Sequence, residues 1–179
     1  MHINKNILLR VDKEDLDKKG VFVVPEEVKE IGSSAFMFTN KDLREIVIPE
    51  GVEVIESFTF YGCENLENVK LPKTIKDIGE LAFFECYKLR GMEFPEGVER
   101  IGKWMFTSCV NLETVIIPES VNKIGSELFY GCENLKQFAL PKRFEDEMED
   151  ILGQYIISNN NIEILLTEPE TVNKTQMEN

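Results

Sequence analysis

The chain has little of what most catalytic sites are built from. Its only histidine is His2, in the first segment, and its only tryptophan is Trp104. No G-x-S-x-G, P-loop or G-x-G-x-x-G motif occurs, so nothing brings a nucleophile, a base and an orienting group together. A non-enzymatic protein with no metal and no cofactor is expected. Bases are also scarce: 20 Lys and Arg stand against 33 Asp and Glu, leaving a formal charge of −13. That balance repels phosphate backbones and anionic surfaces, so nucleic acid and membrane are not expected partners. Long apolar runs are missing as well. The run Ile7 to Leu9 meets charges at once, where a secretory leader needs a longer apolar stretch, and nothing approaches the roughly 20 apolar residues that span a bilayer. A cytoplasmic location is expected, or a host or extracellular one if a leader has been removed.

What the chain does have is a period. Pro25, Pro49, Pro72, Pro95, Pro118 and Pro141 fall 24, 23, 23, 23 and 23 residues apart. A fixed period of this length marks a solenoid, whose units bury their apolar faces by stacking on one another. With proline as position 1, position 4 is Val28, Val52, Ile75, Val98 and Val121, and position 7 is Ile31, Ile55, Ile78, Ile101 and Ile124. Position 12 is Phe36, Phe60, Phe83, Phe106 and Phe129, and position 18 carries Leu66, Leu89, Leu112 and Leu135. An extra residue near Thr39 and Asn40 displaces the leucine of the first unit to Leu43. Positions 18 to 23, as in Leu66 to Leu71, end in the alternation of a half-buried strand, which proline then stops. Position 8 is Gly32, Gly79, Gly102 and Gly125 but Glu56 in the second unit, so a positive φ is not strictly required there. The run after it, such as Glu80 to Glu85, is too short for a free helix and is expected to make helical or 3₁₀ turns.

The pattern P-x-x-V-x-x-I-G-x-x-A-F-x-x-C-x-x-L-x-x-V-x-L, carried from about Val23 to Leu140, resembles the BspA-type leucine-rich repeats. The resemblance implies a mixed α/β solenoid: a curved, right-handed array with a parallel β-sheet on its concave face and short strands or helical turns on its convex side. It also implies a role in binding other proteins, in a family that includes bacterial surface and effector molecules and shares no enzymatic activity. The chain then divides into an N-terminal cap (1–24), five repeats (25–141), a C-terminal cap of helix then strand (142–166) and a disordered tail (167–179). Nearly half of the acidic excess lies from Lys142 onward.

Cys63, Cys86, Cys109 and Cys132 occupy position 15 of consecutive units. One cysteine per rung and no nearby histidine is not zinc spacing. Four buried, reduced thiols acting as small hydrophobes are expected, although a disulfide between adjacent rungs is within reach of strand spacing. Phe58, Leu81 and Trp104 at position 10, with Met37, Tyr61, Phe84 and Tyr130 at position 13, should flank the phenylalanine column and seal neighbouring turns, because Ser34, Thr107 and Glu127 interrupt them as a patch.

The binding candidate is the concave sheet, where positions 20 and 22 point outward. These are Glu45, Asn68, Gly91, Thr114 and Gln137 in one row, and Val47, Lys70, Glu93, Ile116 and Ala139 in the other. The expected site is Glu45, Val47, Asn68, Lys70, Glu93, Thr114, Ile116 and Gln137, on a monomer that takes a protein or peptide ligand. The alternatives are a bacterial surface adhesin that meets its host, or a self-assembling structural protein.

Overall fold

The alternation at positions 20 to 22 yields a strand in every turn. In the computed structural model of the chain, residues 1–37, 39–158 and 162–168 are described. Strands Val21–Val23, Glu45–Val47, Asn68–Lys70, Gly91–Glu93, Thr114–Ile116, Gln137–Pro141 and Glu163–Thr167 mark seven turns of a β-solenoid. Pairing is parallel and stacks like on like: Ile46 lies opposite Val69, and Val115 opposite Met92 and Phe138. The ladder is not the single sheet expected. It divides into a three-stranded sheet ending at Asn68–Lys70 and a four-stranded sheet that starts at Gly91–Glu93. The break coincides with Gly91, and glycine inside a strand weakens pairing because it has more backbone entropy to lose and no side chain to pack.

A second ladder runs beside the first. Two-residue strands Glu30–Ile31, Val54–Ile55, Asp77–Ile78, Arg100–Ile101 and Lys123–Ile124 pair in parallel behind Ile7–Arg10. The N-terminal edge of this sheet is covered by an antiparallel strand, His2–Asn4. The hairpin turns through Lys5 and Asn6, whose φ values of 48° and 64° suit a tight turn of the I′ kind.

The runs expected to be helical are not. Position 10 is left-handed in all five repeats, at Ser34, Phe58, Leu81, Trp104 and Glu127, and position 14 again at Gly62, Glu85, Ser108 and Gly131. A left-handed residue every fourth position denies the chain the consecutive right-handed residues of a helical turn. Linked β-turns form instead, and their amides reach the next rung: Phe58 N to Glu80 O at 3.0 Å, Phe60 N to Ala82 O at 2.9 Å and Gly62 N to Phe84 O at 2.8 Å. The repeats are therefore all-β. Among the described residues helix is confined to Lys13–Asp15, Lys142–Glu147, Met148–Leu152 and Gln154–Ile157, in the caps.

The core lies between the ladders. Phe36, Phe60, Phe83, Phe106 and Phe129 are wholly buried and stack with centroids 4.9, 5.1, 5.9 and 5.8 Å apart. Phe22 and Phe138 meet the two ends of the stack edge-on, at 5.5 and 5.0 Å, a geometry that the ring quadrupole favours. At the C-terminus the cap supplies carbonyls to the last rung: Glu127 N reaches Asp150 O at 2.7 Å and Leu128 N reaches Ile151 O at 2.8 Å. Phe144, Ile151 and Leu152 are buried beneath. Thr167, assigned above to the tail, belongs to the last strand, and Glu168 pairs with Lys142 at 2.8 Å. The rest of the expected disordered tail lies outside the described residues.

Candidate binding face

Parallel register sets the long-strand ladder's outward residues in two rows. It pairs the eight expected site residues as two groups of four in consecutive rungs. Glu45 lies opposite Asn68 and Val47 opposite Lys70, while Thr114 lies opposite Gln137 and Ile116 is next to Glu93. The break at Gly91 separates these two groups of four. Glu45, Val47, Asn68, Lys70 and Glu93 are exposed, and Thr114, Ile116 and Gln137 are half-buried. The Gln137 amide donates to Glu163 Oε2 at 2.8 Å. Ala139, expected to face outward, is 2% exposed, because Gln137–Pro141 pairs along its whole length with Glu163–Thr167 as well as with Thr114–Ile116. Val23, beside Val47 in the same row, is 64% exposed. The sequence reading missed it because Val23 precedes the first proline.

All four thiols are buried and none is in a disulfide. Sγ of Cys86, Cys109 and Cys132 lies 3.4, 3.0 and 3.1 Å from the carbonyl of Phe60, Phe83 and Phe106 in the preceding rung, each in position to donate its S–H. Burial pushes all four up, Cys132 to about 12 and Cys86 and Cys109 well above the ordinary thiol range, so the reactive thiolate is scarce. We expect no reaction with a thiol reagent in the folded protein and four equivalents after denaturation without reductant. Fewer than four after denaturation would mean that a bridge exists.

On the turn side, Tyr61 and Phe84 stack at 4.7 Å with planes 8° apart, and Phe58 packs on Tyr61 at 6.1 Å. Thr107 ends this cluster: it is buried, and its hydroxyl has no partner. Among the described residues no group of three or more His, Cys, Asp or Glu could hold a metal ion. No helix there is long and apolar enough to cross a membrane.

The second ladder floors an open trough of about 470 Å³, lined from Glu30 at one end to Lys123 at the other. Position 8 is its floor. None of Gly32, Gly79, Gly102 and Gly125 has a positive φ. A Cβ on Gly102 would instead lie 2.6 Å from the Gly79 carbonyl oxygen, so glycine lets neighbouring backbones approach. Burial and the neighbouring Glu56 carboxylate hold the Glu30 carboxyl above its ordinary range.

Comparison with known proteins agrees with this geometry. The BspA type leucine-rich repeat region matches residues 29–163 in six copies, one more than the five complete units counted from proline. A leucine-rich repeat protein of T. pallidum is 32% identical, with 71% of this chain and 61% of that one covered at a TM-score of 0.67. One from Bacteroides ovatus is 31% identical, covering 83% of this chain and 42% of that one at 0.63. The pneumococcal vaccine antigen PcpA, 22% identical over 92% of this chain and 45% of its own, shares the fold at 0.71. The chain thus spans less than two thirds of the length of each. A search of the curated proteins returns no match. Periodic columns, parallel ladders and family match agree, and the chain belongs to the BspA-type leucine-rich repeat family.

Proposed function

We propose that the chain is a non-enzymatic protein-binding module whose ligand, a protein or an extended peptide, lies along the outward rows of the long-strand ladder. The observation that supports this is the contrast between columns. Positions 4, 7, 12, 15 and 18 repeat because they build the core, whereas Glu45, Val47, Asn68, Lys70, Glu93, Thr114, Ile116 and Gln137 face outward and change from rung to rung. Such a row suits an extended ligand better than a small molecule, which needs an enclosing pocket. Exposed Val23 and Val47 supply an apolar anchor at one end, and Lys70 and Glu93 give the middle opposite charges on either side of the break. The test is affinity capture from the source cell with the immobilised chain, beside the double reversal Lys70→Glu and Glu93→Lys. Rim charges steer and select partners, so the reversal should reduce capture of a specific partner by about tenfold or more. Equal capture by both chains would move the site off this face.

A further inference from the structure

The trough over the second ladder has a charge order that the binding reading leaves unused. Position 6 reads Glu30, Val54, Asp77, Arg100 and Lys123 in successive rungs, aligned by register. Position 9 follows the same order where it is charged, with Glu80 before Lys103. The middle is internally compensated, by Arg100 on Asp77 at 2.5 Å and Lys103 on Glu80 at 3.7 Å. The ends are not. Glu30 and Glu56 sit together at one end, and Lys123 stands at the other, none of them in an ion pair among the described residues. At a rung spacing of about 4.8 Å the two ends are roughly 19 Å apart, too far to satisfy one another.

A surface that runs from acid to base is complementary to its own reverse. We infer that this trough is a self-association surface, on which a second copy of the chain lies antiparallel. The third rung is the pivot, so Lys123 of each copy meets Glu30 of the other, Glu56 in the second rung faces the bases of the fourth, and Asp77 and Glu80 at the pivot are held by their own partners Arg100 and Lys103. The relation is a two-fold, so the same contact forms twice. It also brings together Phe58 in the second rung and Trp104 in the fourth, which follow the trough residues Ser57 and Lys103 in sequence and are 39% and 37% exposed; Trp104 already carries Lys103 over its ring at 4.4 Å. A parallel arrangement would set acid on acid and superpose the two acidic C-terminal segments. The antiparallel one sends those segments to opposite ends, which answers the repulsion expected of a chain with a charge of −13. This departs from the monomer suggested by sequence alone. The face spans five rungs and about four residues across, below the roughly 800 Å² per partner of a standard interface, so the dimer is weak.

Sedimentation velocity across the micromolar to millimolar range, at low and high salt, tests it. The native chain should dimerise at the upper concentrations, and less so at high salt, because exposed charge pairs are screened. Lys123→Glu and Glu30→Lys should each weaken the dimer by about tenfold or more, and the two together should restore it. A native chain that stays monomeric, single reversals that dimerise like the native chain, or a double swap that fails to recover would each overturn the inference. Thermal midpoints of the variants, expected to be unchanged, verify folding. The Lys70 and Glu93 reversal should leave the dimer intact, which keeps this surface distinct from the long-strand face.

Discussion

Phe83→Ala should lower the thermal midpoint by roughly 10 °C, the largest loss expected from any single truncation in the array. Phe83 is wholly buried and stacked between Phe60 at 5.1 Å and Phe106 at 5.9 Å. Removing a buried ring costs about 3–5 kcal/mol in lost transfer free energy and cavity. In a chain of this size each kcal/mol moves the midpoint by about 2–4 °C. The position matters as much as the ring. A solenoid is held by nearest-neighbour contacts, so a lesion in the third of five repeats weakens two rung interfaces at once. Circular dichroism melting should show a lower and broader transition, whereas Phe58→Ala, at a partly exposed ring, should shift the midpoint much less. If Phe83→Ala melted within about 2 °C of the native chain, the stacked column would not be the main source of stability.

Gly102→Ala should destabilise the array by about 1–3 kcal/mol, the cost typical of overpacking. The added methyl group would stand 2.6 Å from the Gly79 carbonyl oxygen and nearer still to the Gly79 carbonyl carbon and the Glu80 amide. None of these is a side chain that can swing away. The rungs would have to part, stretching the hydrogen bond from Gly102 N to Ile78 O, now 2.8 Å. Gly91→Ala is the control. There the nearest atom to an added Cβ is Thr114 O at 3.6 Å, an ordinary contact, so alanine should be neutral or stabilising by up to about 1 kcal/mol through reduced unfolded-state entropy. Denaturant midpoints of the two variants separate the alternatives. Equal effects would mean that backbone entropy, and not the close approach of rungs, fixes glycine at position 8.

The core was legible in the sequence because each column repeats one requirement. Val28 and its successors, the phenylalanines and the cysteines are buried where the 23-residue period places them, since an in-register parallel stack gives every copy of a position the same surroundings. The turns were not legible. Phe58, Leu81 and Trp104 take a left-handed conformation that local preference disfavours, and only the hydrogen bonds to the next rung outweigh it. Side-chain bridges between rungs were also missed, because their partners are backbone groups. Asn65, Asn111 and Asn134 each donate to a carbonyl of the preceding rung, at 2.8, 2.7 and 2.7 Å. Thr74 and Ser120 accept from the amides of Gly51 and Gly97 and donate to the carbonyls of Val52 and Val98. The alternation of glycine and hydroxyl at position 3 was visible, but its meaning depends on which atoms a stacked neighbour presents. The outward rows are exposed as far as Glu93, and Thr114, Ile116 and Gln137 are half-buried. Ala139 failed because sequence alternation says which way a side chain points and not how long the covering strand is.

The turn ladder also gives the array an orientation. Amides of Phe58, Leu81 and Trp104 all point toward the following rung, and in the last repeat Glu127 and Leu128 find their acceptors in the cap, at Asp150 and Ile151. Along the turns each junction therefore presents donors on one side and carbonyls on the other, while at position 8 the amides of Gly79, Gly102 and Gly125 point the opposite way, to the preceding rung. A further 23-residue course could be inserted at any of these junctions and meet the groups it needs. The C-terminal cap supplies the carbonyls that the last turn's amides need, while its strand Glu163–Thr167 pairs on one edge, with Gln137–Pro141. The two faces of a rung are therefore not interchangeable along the turns.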